Sequence, residues 1–116
     1  MDLGQFGEEK AAEYLNANGY TVLCRNFRCR GGEIDIVATD KPKSNFLVFV
    51  EVKTRRNRSF GLPCEAVTPA KLQRIKRVIR AYLAIKRRAN ANCRIDVIEI
   101  LIINKKMYLR HLKNVG

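Results

Sequence analysis

Residues 32–54 read GEIDIVATDKPKSNFLVFVEVKT. Two strand-like runs flank a polar loop. The first, Glu33–Thr39, carries Ile34, Ile36 and Ala38 in alternation. The second, Phe46–Thr54, is rich in Val and Phe, which suit a pleated and buried surface. The linking residues 40–45, DKPKSN, contain the Asp, Pro, Ser and Asn that turns favour. Closing the pair as an antiparallel hairpin about Pro42 and Lys43 makes opposite partners sum to about 86. Asp35 then lies across from Glu51, with Cβ atoms roughly 5 Å apart. Lys53, two residues past Glu51, projects from the same face. Packing alone does not call for two carboxylates and an ammonium on one face of an apolar strand pair.

The elements around this hairpin follow from local chemistry. Asp2 caps a helix running to about Asn18, with Leu3, Phe6, Gly7, Ala11, Tyr14 and Leu15 on its apolar face. Gly4 and Gly7 on that helix suit the close approach of a neighbouring backbone. Tyr20–Phe27 alternates loosely and reads as a first strand near a sheet edge. Residues 55–67 form a loop with Gly61 and Pro63 as breakers. Thr68-Pro69 starts a second helix reaching about Arg88, with Leu72, Ile75, Ile79, Tyr82 and Leu83 as its buried stripe. Strands at Cys93–Ile103 and Lys106–Leu112 follow, joined by a tight turn at Asn104-Lys105. The order predicts one α/β domain over residues 1–116, a mixed sheet of about five strands flanked by helices. The apolar strands 46–54 and 93–103 are expected at its centre, parallel through the helix that links them.

Charge narrows the partners. The 116 residues carry a formal net charge of +12. Residues 53–88 hold twelve Lys and Arg and one acid, Glu65, so nearly all of the excess is local. A concentrated basic stretch points to an acidic partner, above all nucleic acid. The polar, acidic opening MDLGQFGEEK has no secretory core, and no apolar run reaches membrane-spanning length, so a cytoplasmic chain without a membrane partner is expected. Cys24, Cys29, Cys64 and Cys93 lack paired CxxC spacing, which argues for reduced, core-filling thiols rather than zinc.

Asp35, Glu51 and Lys53 together have a definite chemistry. Neighbouring carboxylates raise each other's pKa unless a cation separates them. Mg²⁺ or Mn²⁺ would relieve that repulsion, with the Val52 carbonyl as a further oxygen ligand. An ion there neutralises phosphate oxygens and acidifies bound water, while Lys53 orients that water or stabilises developing charge. These are the parts of phosphodiester hydrolysis. A cross-strand salt bridge on a solvated face is the plain structural alternative. The apolar neighbours Val37, Leu47 and Phe49 weigh against it.

The pattern GEID…VFVEVKTR resembles the PD-(D/E)XK nuclease signature, an acid on one strand and Glu-x-Lys on the next. Over nearly its full length the chain is similar to the YraN-type family of small bacterial proteins, related in fold to Holliday-junction resolvases. The segments that carry this are GQFGEEKAAEYL, RNFRCRGGEIDIVA, VFVEVKTRRNRSFGLPCEAV, KLQRIKR and CRIDVIEI. The resemblance implies a restriction-endonuclease-like fold and a metal-dependent endonuclease. Asp35 and Glu51 match its metal-binding acids and Lys53 its catalytic lysine. Glu8 matches an acid that resolvase-like enzymes bring from the first helix. Ile34 stands where the signature has proline, which removes no ligand. Branched or structured DNA is the implied substrate, with RNA as the alternative, and a homodimer follows by analogy with enzymes that make paired cuts.

Several residues carry a plainer reading beside the functional one. Glu8 also suits a surface acid near a helix N-terminus, and Glu33 suits solvent or Arg30. Arg55, Arg56 and Arg58 directly follow Lys53 and are read as phosphate contacts rather than a solubilising loop. Arg74 and Arg77 on the second helix extend that patch. Lys71, in the first turn, is a candidate phosphate contact whose simpler reading is a solvated charge. Phe60 suits base stacking or loop packing equally. Asp96 is expected to pair with a neighbouring cation, and His111, the lone histidine, to be incidental.

Overall fold

The computed structural model describes residues 2–40, 43–56 and 68–116, those at 43–45 by backbone. The elements run α1 (Leu3–Ala17), β1 (Tyr20–Cys29), β2 (Gly32–Asp40), β3 (Lys43–Arg55), α2 (Pro69–Ile85), β4 (Asn92–Ile103) and β5 (Lys106–Leu112). The strands form one five-stranded sheet in chain order, β1-β2-β3-β4-β5. All neighbouring pairs are antiparallel except β3 and β4, which α2 connects in parallel. This is a mixed α/β fold, consistent with a restriction-endonuclease-like architecture.

Both helices start as their caps dictate. The Asp2 carboxylate accepts from the Gln5 amide and the Gln5 side chain accepts from the Asp2 amide, a reciprocal capping box. Thr68 Oγ1 accepts from the Lys71 amide, with Pro69 at the first helical position. The second helix ends at Ile85, three residues before the expected Arg88, and Arg87 takes φ +55. Asn104 and Lys105 both adopt positive φ, 50° and 64°, as a two-residue hairpin turn of matching twist requires.

One helix covers each face of the sheet. Ala11, Ala12 and Leu15 of α1 pack with Ile36, Ala38, Val48, Val50, Ile98 and Ile100. On the other face Ile75, Val78, Ile79 and Tyr82 of α2 pack with Val37, Leu47, Phe49 and Ile95. Gly7 makes the α1 contact possible, because a Cβ there would stand 1.8 Å from the Thr54 Oγ1 on β3. The close neighbour is thus a side chain and not backbone, and Gly4 has no such contact.

The β2–β3 register matches the sequence expectation, with Ile36↔Val50, Val37↔Phe49 and Ala38↔Val48. The connection is shorter than expected. Strand pairing continues to Asp40↔Lys43 through an irregularity after Thr39, so residues read as loop belong to strands. At its other end the ladder stops at Ile36↔Val50.

Candidate active site

Asp35 sits where β2 leaves β3. Strict alternation would send Ile34 and Val37 to opposite faces, yet both pack against the α2 side of the core. The alternation therefore breaks around Asp35. Its Oδ2 accepts the Val52 amide at 2.7 Å, a side chain standing in for the ladder bond beyond Ile36. The simple two-face picture from sequence is corrected to this extent: Asp35 reaches Val52 at the parting of the strands. Burial pushes its carboxyl above the ordinary range, and Glu33 adds to the rise; the Val52 amide and the Lys71 and Lys53 ammonium groups oppose it.

Glu51 projects toward α2. Its Oε1 lies 3.2 Å from the Lys71 Nζ, with side chains 15% and 19% exposed. Burial raises the Glu51 pKa first, and the Asp35 charge raises it further against the pull of Lys71 and Lys53. Lys53 is lowered, chiefly by its hydrogen bond with Lys71, then by burial. The reading of Lys71 as a solvated charge is thereby overturned. Thr68 and Pro69 begin α2 at a point from which this first-turn side chain reaches the strand.

Glu51, Lys71 and Arg74 line a cavity of about 250 Å³ together with Gly32, Glu33 and Ile75. Arg77 stands nearby against the β1–β2 turn, its Cβ 3.6 Å from where a Gly31 Cβ would lie. Glu33 pairs with Arg28 at 2.9 Å, not with Arg30. Arg56 is elsewhere, lining a separate pocket with Asp2, Leu3, Phe6 and Ile102. Arg55 continues β3 past Lys53. Arg58, Phe60 and Cys64 lie outside the described residues.

Glu8 of α1 approaches from the other side. Its pKa is raised by burial and by the Asp35 charge, and it bonds with the Asn26 side chain. Asn26 holds φ +54 in β1, between the paired residues Arg25↔Ile36 and Phe27↔Ile34. Nothing in the sequence singled out Asn26. Among the described residues no three His, Cys, Asp or Glu side chains stand close enough to hold a metal. Asp35 and Glu51 are the acids that the strands bring to the site, and the Asp35 charge reaches Glu8 as well. Two carboxylates suit a hard, hydrated cation of the Mg²⁺ type, which takes one or two such ligands and fills the rest with water and substrate oxygens.

Two further polar clusters were not legible as such. Asp96 is fully buried and accepts from Arg94 Nε at 3.0 Å and from the Asn114 amide at 2.9 Å. His111 is not incidental. Its Nε2 lies 2.8 Å from Asp96 Oδ2 and its Nδ1 2.9 Å from the Tyr14 hydroxyl. Arg94 also reaches Asp40 and the Tyr20 hydroxyl, so the cluster ties α1, β1, β2, β4 and β5 together. The second cluster is Glu99 with Arg110, whose Nε donates to Glu99 Oε1 at 2.8 Å. An acid inside the apolar run VIEILII was the available signal.

Comparison with known proteins places the chain. Residues 7–100 match the model of the family described as Uncharacterised protein family UPF0102. A UPF0102 protein of Caldicellulosiruptor saccharolyticus is 44% identical over 115 residues, covering 97% of this chain and 95% of that one. One from Symbiobacterium thermophilum is 50% identical over 98 residues, covering 84% and 80%. Among solved structures, Pyrococcus furiosus SfsA, determined in complex with Ca²⁺, aligns at 12% identity and TM-score 0.46 over 97% of this chain and 64% of that one. So distant a likeness adds nothing to the assignment. The relatives and the family match suffice: the chain belongs to the UPF0102 family, the YraN-type group that its motifs resemble.

Proposed function

We propose that the chain is a metal-dependent endonuclease hydrolysing phosphodiester bonds of DNA, with branched or structured DNA as the favoured substrate and the bacterial cytoplasm as its place of action. The convergence of Asp35, Glu51, Lys53 and Lys71 carries this reading. Asp35 and Glu51, with the Val52 carbonyl, are the groups that would hold Mg²⁺ or Mn²⁺. Such an ion, when bound, supplies Lewis-acid stabilisation of the phosphate and an acidified water. Asp35 is fixed for this by the Val52 amide. Lys53, held below the usual lysine range by Lys71 and by burial, is suited to exchange a proton with the attacking water. Lys71 and Arg74, one helical turn apart at the cavity, present cations to the phosphate. Arg77 beside the cavity and Arg55 farther along β3 would extend the contact with the nucleic-acid backbone, and Arg56 and Arg58 would meet it only if it runs on past that strand's end.

The test is a cleavage panel of linear, flapped and four-way DNA, with an RNA duplex alongside, in Mg²⁺ or Mn²⁺. Asp35→Ala, Glu51→Ala and Lys53→Ala should each abolish cleavage and leave DNA binding in place. Cleavage that survives in a pure triple variant rejects the assignment. A second reading, a nucleic-acid-binding module without catalysis, is favoured by the Lys71–Glu51 ion pair, which already neutralises one of the two acids. Salt-sensitive DNA binding with no metal uptake in calorimetry selects it.

A further inference from the structure

Glu99 is 1% exposed and keeps one oxygen, Oε2, without a hydrogen-bond partner. Its other oxygen is taken by the Arg110 guanidinium. An unpaired buried carboxylate oxygen is costly, and folded chains retain few of them. Register brings a donor-bearing side chain beside it. In the parallel β3–β4 ladder Lys53 pairs with Glu99, and in the β4–β5 ladder Glu99 pairs with Arg110. Ile98 and Ile100 pack on the α1 side, so Glu99 between them faces the α2 side. Val50 and Val52 likewise pack on the α1 side, which gives Lys53 the same face as Glu99. Adjacent strands lie about 4.8 Å apart, within reach of a lysine stem. The Lys71 ammonium meanwhile stands near enough to Lys53 to disfavour its charge.

We propose that Glu99 is the positioning residue for Lys53: Lys53 exchanges between Lys71 and Glu99 Oε2, and docks on Glu99 when a phosphate engages Lys71. Arg110 fixes the carboxylate so that the free oxygen stays beside β3. Lys53 then reaches across to β4 and is held beside Glu51, while Lys71 is released to the substrate. The proposal rests on the nuclease reading for its catalytic consequence, but the Lys53–Glu99 pairing does not.

A double-mutant cycle separates the two. Lys53→Met, Glu99→Gln and the double variant are unfolded in urea without metal or nucleic acid. Coupling of about fivefold or more in the unfolding constant is expected, and additivity within twofold overturns the pairing. On the cleaved DNA of the panel, Glu99→Gln should lower kcat by 10- to 100-fold with KM within threefold. An unchanged kcat in Glu99→Gln overturns the positioning role. Coupling in a wild-type chain that cleaves no DNA sinks the nuclease reading and keeps the pairing. Should Glu99→Gln fail to fold, Glu99→Asp, which retains the charge for Arg110 and withdraws the oxygens by one methylene, takes its place with the same expectations.

Discussion

Lys71 Nζ stands 3.2 Å from Glu51 Oε1, so the first turn of α2 supplies a counter-ion to an acid on the central strand. Both side chains are largely shielded from water, so removing one partner leaves the other's charge poorly solvated. Lys71→Met should destabilise the chain by roughly 1–3 kcal/mol at neutral pH, the cost of leaving a shielded charge unpaired. The same variant leaves Asp35 and Glu51 without that ammonium. Millimolar Mg²⁺ should therefore raise the melting temperature of Lys71→Met more than that of the wild type. Equal shifts by calorimetry would show that Lys71 does not compete for the acids.

The two acids impose a pH dependence of definite sign. Asp35 and Glu51 both have raised folded pKa values, so the native state binds their protons more tightly than the unfolded chain does. Their contribution to stability falls as pH climbs from the ordinary carboxylate range through the raised values. Asp35→Asn, which keeps an acceptor for the Val52 amide, should stabilise the protein by about 1 kcal/mol at neutral pH, the usual range for relieving such a site. That gain should vanish as pH drops to the ordinary aspartate range. Urea titrations across this window read it directly.

Asp96 should behave in the opposite way. Burial alone would push its carboxyl up, but His111, Arg94 and the Asn114 amide outweigh that and hold it below the ordinary value. Its stabilising effect is complete above the ordinary aspartate range and is lost as pH falls toward the depressed folded value. Asp96→Ala strands Arg94 and His111 and should cost about 3–5 kcal/mol at neutral pH. The difference from wild type should shrink in acid, where the native carboxylate is being titrated.

Gly7→Ala places a methyl against the Thr54 side chain at a distance no pair of atoms tolerates. The α1 helix must shift, at a cost of roughly 1–3 kcal/mol. Thr54→Ala in the same chain should restore only part of this, because the Thr54 Cβ would still lie 2.9 Å from the new carbon. Chemical denaturation of the two single variants and the double gives the answer.

If nucleic acid is the partner, binding must weaken steeply with salt, because each neutralised phosphate releases counterions. Arg74→Ala and Arg77→Ala should each weaken binding across all sequences and lower the salt slope by about one. A salt-independent interaction would point to a protein partner for the basic helix.

The hairpin was legible because alternation and turn chemistry are local, and they set the 36↔50 register correctly. The central parallel pair was legible from two runs apolar on both faces with a helix between them. Asp35 was located by its residue type, but its placement depends on where β2 separates from β3, which no local pattern encodes. Lys71 looked like its neighbours on a basic helix, and only the packing of α2 turned it inward. His111 gained its role from Asp96 and Tyr14, 15 and 97 positions away, a meeting that only tertiary structure makes. Glu99 carried a readable sign, a charge among isoleucines, yet its orphaned oxygen is visible only once the strands are aligned.

The strands follow one another across the sheet in the order of synthesis. On an emerging chain, β1 and β2 have all their strand partners once β3 is made, and β3 awaits only β4, so the strands that carry the site's acids can pair before any of α2 exists. For that interval Asp35 and Glu51 are neighbours with no Lys71 between them and the solvent. The nascent half is therefore a pair of like charges awaiting a cation, and the helix that arrives next closes the centre electrically as well as covering it.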